Sequence, residues 1–372
     1  MKIKKKIIII TSNSSWNITN FRINLVKEFI NNYLIVVVVP DENKYTEYLR
    51  KIGCKVYIIK YSRRGINLLD NLLVLFKYIF LFIKIKPDYI FPFTIKPNIF
   101  SSIASKFIKT KTINNITGLG NVFIEKNFIK KIIIILYKIS FKNSSKIFFH
   151  NEDDLNYFLK KKIVNKNIGK VIPGSGINLN IFKYQKPLKK IDSNFVFLYL
   201  GRLITDKGIL VLLDSVELIK EKYPNIKFKL VGELDSNDKN YNKIYDKIQN
   251  LDKRNLTYYS HTNDIMSFYR EADCIILPSF REGLPRTLLE ASALGVPIIT
   301  TDVPGCNRLI KDNYNGFLCK VSDKMDLCKK IIEFIELDYA IKLDFTKNAR
   351  SKVENFYDER IIINEYKKSI YD

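Results

Sequence analysis

The stretch CIILPSFREGLPRTLLEASALGVPIIT, Cys274 to Thr300, carries two carboxylates around a turn. An apolar run ends at Pro278, a Gly-Leu-Pro turn follows, and a helical pattern leads into a second apolar run. Pro285 suits the first turn of a helix, where its missing N–H costs nothing, so a helix is predicted from about Pro285 to Gly295. Glu282 then lies in the loop at a strand end, and Glu290 in the second turn of the helix. Gly283 lets backbone amides face a ligand there. A diphosphate over the helix N-terminus would send a polyhydroxylated group toward each acid, and carboxylates accept hydrogen bonds from hydroxyl pairs. Taken singly, each glutamate is better explained as a complement to the helix dipole.

A second constellation stands upstream in LGRLITDKG. Gly201 ends a strand-like run, and Arg202 and Lys207 flank the loop that leads into the helical pattern ILVLLDSVELIK. A guanidinium, an ammonium and a helix N-terminus at one strand end form a seat for a diphosphate. Lys207 alone reads first as one more surface lysine, whereas Arg202 directly after a strand-end glycine is the more specific signal. Gly232, in FKLVGELDSNDKN, ends the next strand and by itself marks only a turn. Asp235 and Asp238 sit in the polar tract that follows and read as solvated turn residues rather than a metal pair. The five cysteines are scattered without a C-x-x-C pair and there are two histidines, His150 and His261. No metal or other cofactor is expected, and the thiols are expected to be free.

These loops need a scaffold that brings strand ends together. Apolar runs without alternation are typical of parallel strands covered on both faces. They are expected at Ile7–Ile10, Leu34–Val39, Val56–Lys60, Tyr89–Phe93, Thr112–Ile116 and Lys146–His150, with helical stretches between them. A stretch with two glycines, two prolines and no period, Val171 to Asn194, reads as a linker. A second series follows at Phe195–Leu200, Lys227–Val231, Leu256–Tyr259, Cys274–Leu277, Ile298–Thr300 and Phe317–Lys320, and the tail DERIIINEYKKSIYD suits an amphipathic last helix. The expected class is therefore α/β, with two doubly wound Rossmann-like domains, 1–175 and 190–355, and a closing helix over 356–372 that packs back toward the first. Two such domains in tandem imply an interdomain cleft.

At 372 residues, 47% hydrophobic and 27% charged, the chain is globular rather than disordered. The opening MKIKKKIIIITSN is too short in apolar residues for a secretory signal. In Ile66 to Lys86, Asp70, Lys77 and Lys84 interrupt the apolar runs, which argues for a buried or membrane-surface helix and against a bilayer span. The net charge of +24 favours anionic partners. Lysine rises together with Ile and Asn, so part of that charge is solvated surface from a biased composition. No nucleic-acid-binding signature accompanies it. An anionic membrane surface fits better, because lysines intermingle with apolar helical runs at Ile66–Lys86 and Phe128–Lys142.

Taken together, GRLITDKG, LVGE, LPSFREGLPRTLLEASALGVPIITTDVPGC and NGFLCKVSD resemble the second domain of retaining GT-B glycosyltransferases of family 4, group 1, and Glu282 and Glu290 match that family's E-x7-E signature. FTIKPNIFSSIAS, NITGLGNVF, FFHNEDDLNYF and VIPGSGINLNIF resemble bacterial members that build lipid-linked glycans or capsules. The resemblance implies an N-terminal acceptor-binding domain and a C-terminal nucleotide-sugar-binding domain. It implies that Arg202 and Lys207 hold the donor diphosphate, beside Gly201 and Gly232. It implies that Glu290 binds the ribose, and that Glu282 contacts the donor sugar near the Gly283 and Leu284 amides, without a metal.

Two departures stand out. Many relatives place a histidine where this chain has Thr117 and Gly118, so no catalytic base is named, and His150 is read as structural. The first loop, TSNSSWNITNFR, lacks the paired glycines of many relatives. Its Ser14, Asn17, Thr19, Asn20 and Arg22 suit an acceptor or phosphate and suit helix capping equally well, and Trp16 is as readily a hydrophobic anchor. Asn17, Asn20, Arg22, Thr117 and Gly118 are the candidate acceptor contacts.

The expected activity is transfer of a hexose or N-acetylhexosamine from a UDP-sugar to a polyprenyl-diphosphate-linked saccharide, in surface polysaccharide assembly. It would take place in the cytoplasm, on the inner face of the cell membrane. The alternatives are a nucleotide-sugar epimerase of the same architecture and a non-catalytic basic protein that binds lipid or nucleic acid.

Overall fold

The computed structural model describes residues 5–62, 67–119, 123, 128–185, 194–262 and 264–371. It divides into two compact units, Met1–Gly176 with Glu359–Asp372, and Ile177–Asp358. Of the expected linker, 186–193 lie outside the described residues, as does Ile66 at the head of the first basic apolar stretch.

The first unit holds a seven-stranded parallel sheet in the order β3-β2-β1-β4-β5-β6-β7. Its strands are β1 (Ile7–Thr11), β2 (Leu34–Val39), β3 (Lys55–Ile58), β4 (Tyr89–Pro92), β5 (Thr112–Ile116), β6 (Ser144–Phe149) and β7 (Gly169–Val171). Ile8, Ile9, Ile10, Val37 and Val38 are wholly buried, as strands covered on both faces require. The expectation missed β7, a three-residue strand with no apolar run, which is recognisable only from its pairing with β6.

β5 carries two buried asparagines, Asn114 and Asn115, and the Ile95–Phe107 helix bonds the Asn114 side chain and the Asn115 backbone. Asn114 Nδ2 donates to Asn98 Oδ1 at 2.8 Å and to Ser102 Oγ at 2.7 Å, and Asn98 Nδ2 donates to the Asn115 carbonyl at 2.8 Å. The motif FTIKPNIFSSIAS and the strand residues Asn114 and Asn115 at the head of NITGLGNVF are thus packed together. The closing helix, Glu359–Tyr371, completes the first unit: Ile362, Tyr366 and Ile370 join the core of Ile8, Ile10, Phe91 and Phe148. The Tyr366 hydroxyl donates to Asn115 Oδ1, and its ring packs 5.1 Å from Phe148. Tyr366→Phe leaves that buried oxygen unpaired, and thermal unfolding is expected to show a loss of about 1–2 kcal/mol.

The second unit has a six-stranded parallel sheet in the order β10-β9-β8-β11-β12-β13. The strands are β8 (Val196–Leu200), β9 (Lys227–Val231), β10 (Leu256–Tyr259), β11 (Cys274–Leu277), β12 (Ile298–Thr301) and β13 (Phe317–Cys319). The order reverses between β8 and β11, and in open parallel sheets ligands bind beyond the carboxyl ends of the strands at such a switch point. All five cysteines are free and buried.

Candidate active site

The two constellations read from the sequence follow β8 and β11, so the topology alone brings them to neighbouring strand ends in the second unit. Gly201 follows β8 at φ 155° and Gly232 follows β9 at φ 145°. A Cβ on Gly232 would stand 2.0 Å from the Gly201 carbonyl oxygen, so the two strand ends touch because Gly232 has no side chain. Gly232 is therefore more than a turn residue.

Arg202 is exposed, with Nη1 3.5 Å from the Asp235 carboxylate. A short 3-10 turn, Thr205–Lys207, then closes on Gly208 at φ 70° before the Ile209–Lys222 helix. Asp238 builds that turn: its carboxylate accepts from the Thr205 hydroxyl at 2.7 Å, the Thr205 amide at 3.0 Å and the Asn240 amide at 2.9 Å. Burial pushes the Asp238 carboxyl up, but the Thr205 and Asn240 donors outweigh it and hold the group below its usual value. Asp235 and Asp238 are thus corrected from solvated turn residues to supports of Arg202 and of the Lys207 turn. Their neighbours in sequence are polar, and only the fold reveals their partners.

Lys207 is not a free surface lysine. Its ammonium is half-buried and pairs with the Glu282 carboxylate, whose side chain is 9% exposed. Ser279, wholly buried just after β11, donates to Glu282 Oε1 at 2.8 Å. The Phe280 amide donates to the Asp206 carbonyl at 2.9 Å and so ties the two loops together. Gly305, at φ 88°, lies under the Glu282 and Gly283 carbonyls; a Cβ there would meet both oxygens at 2.6 Å. Gly283 and Leu284 are half-buried beside it.

The helix after β11 runs Arg286–Leu294, with Gly295 as its left-handed C-cap. Pro285 is its N-cap rather than its first residue, because its ψ of 118° is extended. Glu290 is 8% exposed, and both of its oxygens are engaged: Arg286 Nε donates at 2.9 Å and the Tyr269 hydroxyl at 2.8 Å. Burial, and then Glu290 itself, push the Tyr269 phenol well up, so at neutral pH it stays a proton donor to the carboxylate. Sequence reasoning missed Ser279, Tyr269 and Arg286. The spacing of Arg286 and Glu290, one helical turn apart, was the available signal. Ser279 and Tyr269 offered none.

In the first unit, Ser14 caps the Ser15–Phe21 helix by accepting from the Asn17 amide at 3.2 Å. Asn17 Oδ1 accepts from Arg22 Nη1 at 2.7 Å and from Ser12 Oγ at 3.0 Å. Arg22 is buried, its guanidinium 4.0 Å from the Phe93 ring centroid. Asn20 Nδ2 donates to the Trp16 carbonyl at 2.9 Å, and Trp16 is half exposed with its ring against Phe21. Capping and internal support occupy most of this loop. Thr117 and Gly118 follow β5, Gly118 at φ 137°, and His150 is buried after β6. Among the described residues no group of three or more His, Cys, Asp or Glu could hold a metal ion.

Residues 180–352 match the sequence model of the glycosyl transferases group 1, and residues 7–151 match that of the glycosyl transferase 4-like domains. Over 97% of both chains, the sequence is 30% identical to the N,N'-diacetylbacillosaminyl-diphospho-undecaprenol alpha-1,3-N-acetylgalactosaminyltransferase of Campylobacter jejuni. The chain belongs to the group 1, family 4 glycosyltransferases. This glycosyltransferase is also 28% identical to the capsular polysaccharide biosynthesis glycosyltransferase CapM of Staphylococcus aureus, over 90% of this chain and 94% of that one. The solved structure of Anabaena Alr3699/HepE in complex with UDP-glucose matches it with a TM-score of 0.81 and 17% identity, over 98% of this chain and 99% of that one. The likeness in fold places it among the GT-B proteins.

Proposed function

We propose that this glycosyltransferase moves a hexose or N-acetylhexosamine from a UDP-sugar to a polyprenyl-diphosphate-linked saccharide, with retention of configuration. The observation that carries this reading is the meeting of charged side chains at the ends of β8 and β11, the switch point of the second sheet. There Arg202 and the Lys207–Glu282 pair stand at one helix start, and Glu290 is held by Arg286 and Tyr269 in the neighbouring helix. Arg202 and Lys207 bind the donor diphosphate and stabilise the charge that develops on the leaving nucleotide, a task they perform without a metal. Glu290 accepts from the ribose hydroxyls and Glu282 from the donor sugar. The bond from the sugar to the departing phosphate oxygen breaks while the acceptor oxygen bonds on the same face. The acceptor proton passes to that phosphate oxygen, so no side-chain base is needed.

The names of the Campylobacter and Staphylococcus relatives support a diphosphate-lipid-linked acceptor and surface polysaccharide assembly. The HepE complex supports a UDP donor. Among the described residues no helix is long and apolar enough to cross a membrane. The Leu68–Ile85 and Phe128–Ser140 helices nevertheless expose Leu69, Phe76, Phe80, Phe128 and Ile135 among lysines, which suits the anionic inner face of the cell membrane.

The test is UDP release over a panel of UDP-sugars, with polyprenyl-diphosphate-linked saccharides supplied and the product anomer read by NMR. The expected result is free UDP and an α-linked elongated lipid from an α-linked donor. An isomerised UDP-sugar would support the epimerase instead, and turnover only with GDP or dTDP donors would overturn the nucleotide assignment. Glu290→Ala is expected to weaken UDP binding about tenfold, and unchanged affinity would overturn its ribose role.

A further inference from the structure

Glu290 is an acid where acids are seldom left: its side chain is 11% exposed, in the second turn of the Arg286–Leu294 helix. A carboxylate that merely complemented the helix dipole would stand in solvent and need no fixed partners. This one has two, and each takes a different oxygen. Arg286 Nε donates to Oε1 at 2.9 Å, and the Tyr269 hydroxyl donates to Oε2 at 2.8 Å. The Tyr269 hydroxyl also stands 3.2 Å from the Thr287 carbonyl, but its single proton goes to the nearer and charged acceptor. Burial and then the Glu290 charge push this phenol well above its ordinary value, so it keeps that proton through the neutral range.

Both donors are themselves fixed. Tyr269 is 1% exposed, on the Ile265–Glu271 helix that precedes β11. The Arg286 guanidinium lies 5.8 Å from the ring centroid of buried Phe182. The Glu290 carboxylate therefore cannot rotate without losing a charge-assisted hydrogen bond.

An ionised carboxylate accepts about four hydrogen bonds, two on each oxygen. One on each oxygen is taken, so one on each remains, in a plane that the protein has fixed. Such a pair of acceptors matches two hydroxyls on adjacent carbons. A ribose offers them as its 2'- and 3'-hydroxyls. A 2'-deoxyribose offers one, and leaves a buried, immobile oxygen without its partner. A carboxylate free to turn, or to take up water, would lose far less by the same omission.

Resting on the assignment of Glu290 to the ribose above, we propose that Tyr269 and Arg286 are positioning residues that fix the Glu290 carboxylate for a vicinal diol, and so make the enzyme selective for ribonucleoside over 2'-deoxyribonucleoside donors. They act through Glu290 and are assigned no contact with the sugar that is transferred. Selection against the deoxy form comes from the rigidity they impose and needs no clash. Uridine and guanosine donors satisfy both acceptors, whereas a dTDP-sugar lacks one of the two hydroxyls.

The test measures binding of UDP and of 2'-deoxy-UDP to the full chain by titration calorimetry, for the parent, Tyr269→Phe and Arg286→Ala. The parent is expected to prefer UDP by about tenfold to a hundredfold. Each variant is expected to bind UDP more weakly, with its preference for UDP reduced to less than about threefold. Thermal unfolding without ligand is followed in parallel, because loss of a buried donor also costs stability. A purely structural role would lower the melting temperature and both affinities together and leave the preference at its parental size. That result in one variant would remove its residue from the role, and in both it would overturn the inference while the ribose assignment stands. A parent that binds the two nucleotides equally would overturn the ribose assignment, and the inference with it. Arg286→Ala changes a side chain at the helix start that is 22% exposed, so it keeps the test decisive should Tyr269→Phe fail to fold.

Discussion

Glu282→Ala is expected to lower turnover with the UDP-sugar about a hundredfold to a thousandfold, while the donor KM changes far less. Glu282 is a carboxylate held ready at a switch point: Lys207 and Ser279 take its Oε1, and Gly305 packs beneath its backbone. A group prepositioned in this way acts mainly on the transition state, because it need not reorganise as charge moves. The substitution also leaves the half-buried Lys207 ammonium without its carboxylate, so unfolding should show a cost of about 1–2 kcal/mol. Lys207→Ala separates the two effects. If the pair acts as a unit, the double variant turns over about as slowly as either single one, rather than at the product of their losses. A Glu282→Ala enzyme within about threefold of the parent would remove this residue from the chemistry.

Gly208→Ala is expected to be the most damaging one-methyl change in the second unit. The glycine sits at φ 70°, and a Cβ there would stand 1.9 Å from the Pro278 carbonyl oxygen and 2.7 Å from its carbon. Neither obstacle is a flexible side-chain end, so the turn at Lys207 and the loop after β11 would have to separate. Left-handed strain and overpacking together should cost about 3–4 kcal/mol, or roughly 6–15 °C of melting temperature for a unit of this size. Because Lys207 and Glu282 lie on the two segments forced apart, activity should fall even at temperatures where the variant remains folded. A variant with parental melting and activity would show that this contact is not made. Gly232→Ala meets the Gly201 carbonyl at 2.0 Å and is the matching test at the neighbouring strand end.

Much of the scaffold was readable because its strands are unbroken apolar runs. LIVVVV and CIIL have one reading as buried parallel strands, and their spacing leaves room only for helical crossovers. β7 was not readable, since Gly169–Val171 is short and half polar and owes its form to β6. The asparagines of β5 were an opposite case: they look unfit for a buried strand until Asn98 and Ser102 arrive to bond Asn114, and Pro92 and Tyr366 to bond Asn115.

In the site, identity and position separated in the same way. That Arg202, Lys207, Glu282 and Glu290 stand at neighbouring strand ends was legible because apolar runs end just before them and glycines mark where the backbone must turn. Whether Lys207 was surface charge or half of a buried pair depended on a partner 75 positions away, which no local pattern encodes. Ser279 and Tyr269 became visible only as hydrogen-bond donors to those acids, and Asp238 only as the brace of the Thr205–Lys207 turn. The sequence by itself determined the two-domain parallel α/β class, the strand ends and the residue types placed there, because hydrophobic period and turn chemistry are local. Only the tertiary structure decided which charges meet and which polar groups are satisfied, because those depend on strand order and on contacts between residues far apart in the chain.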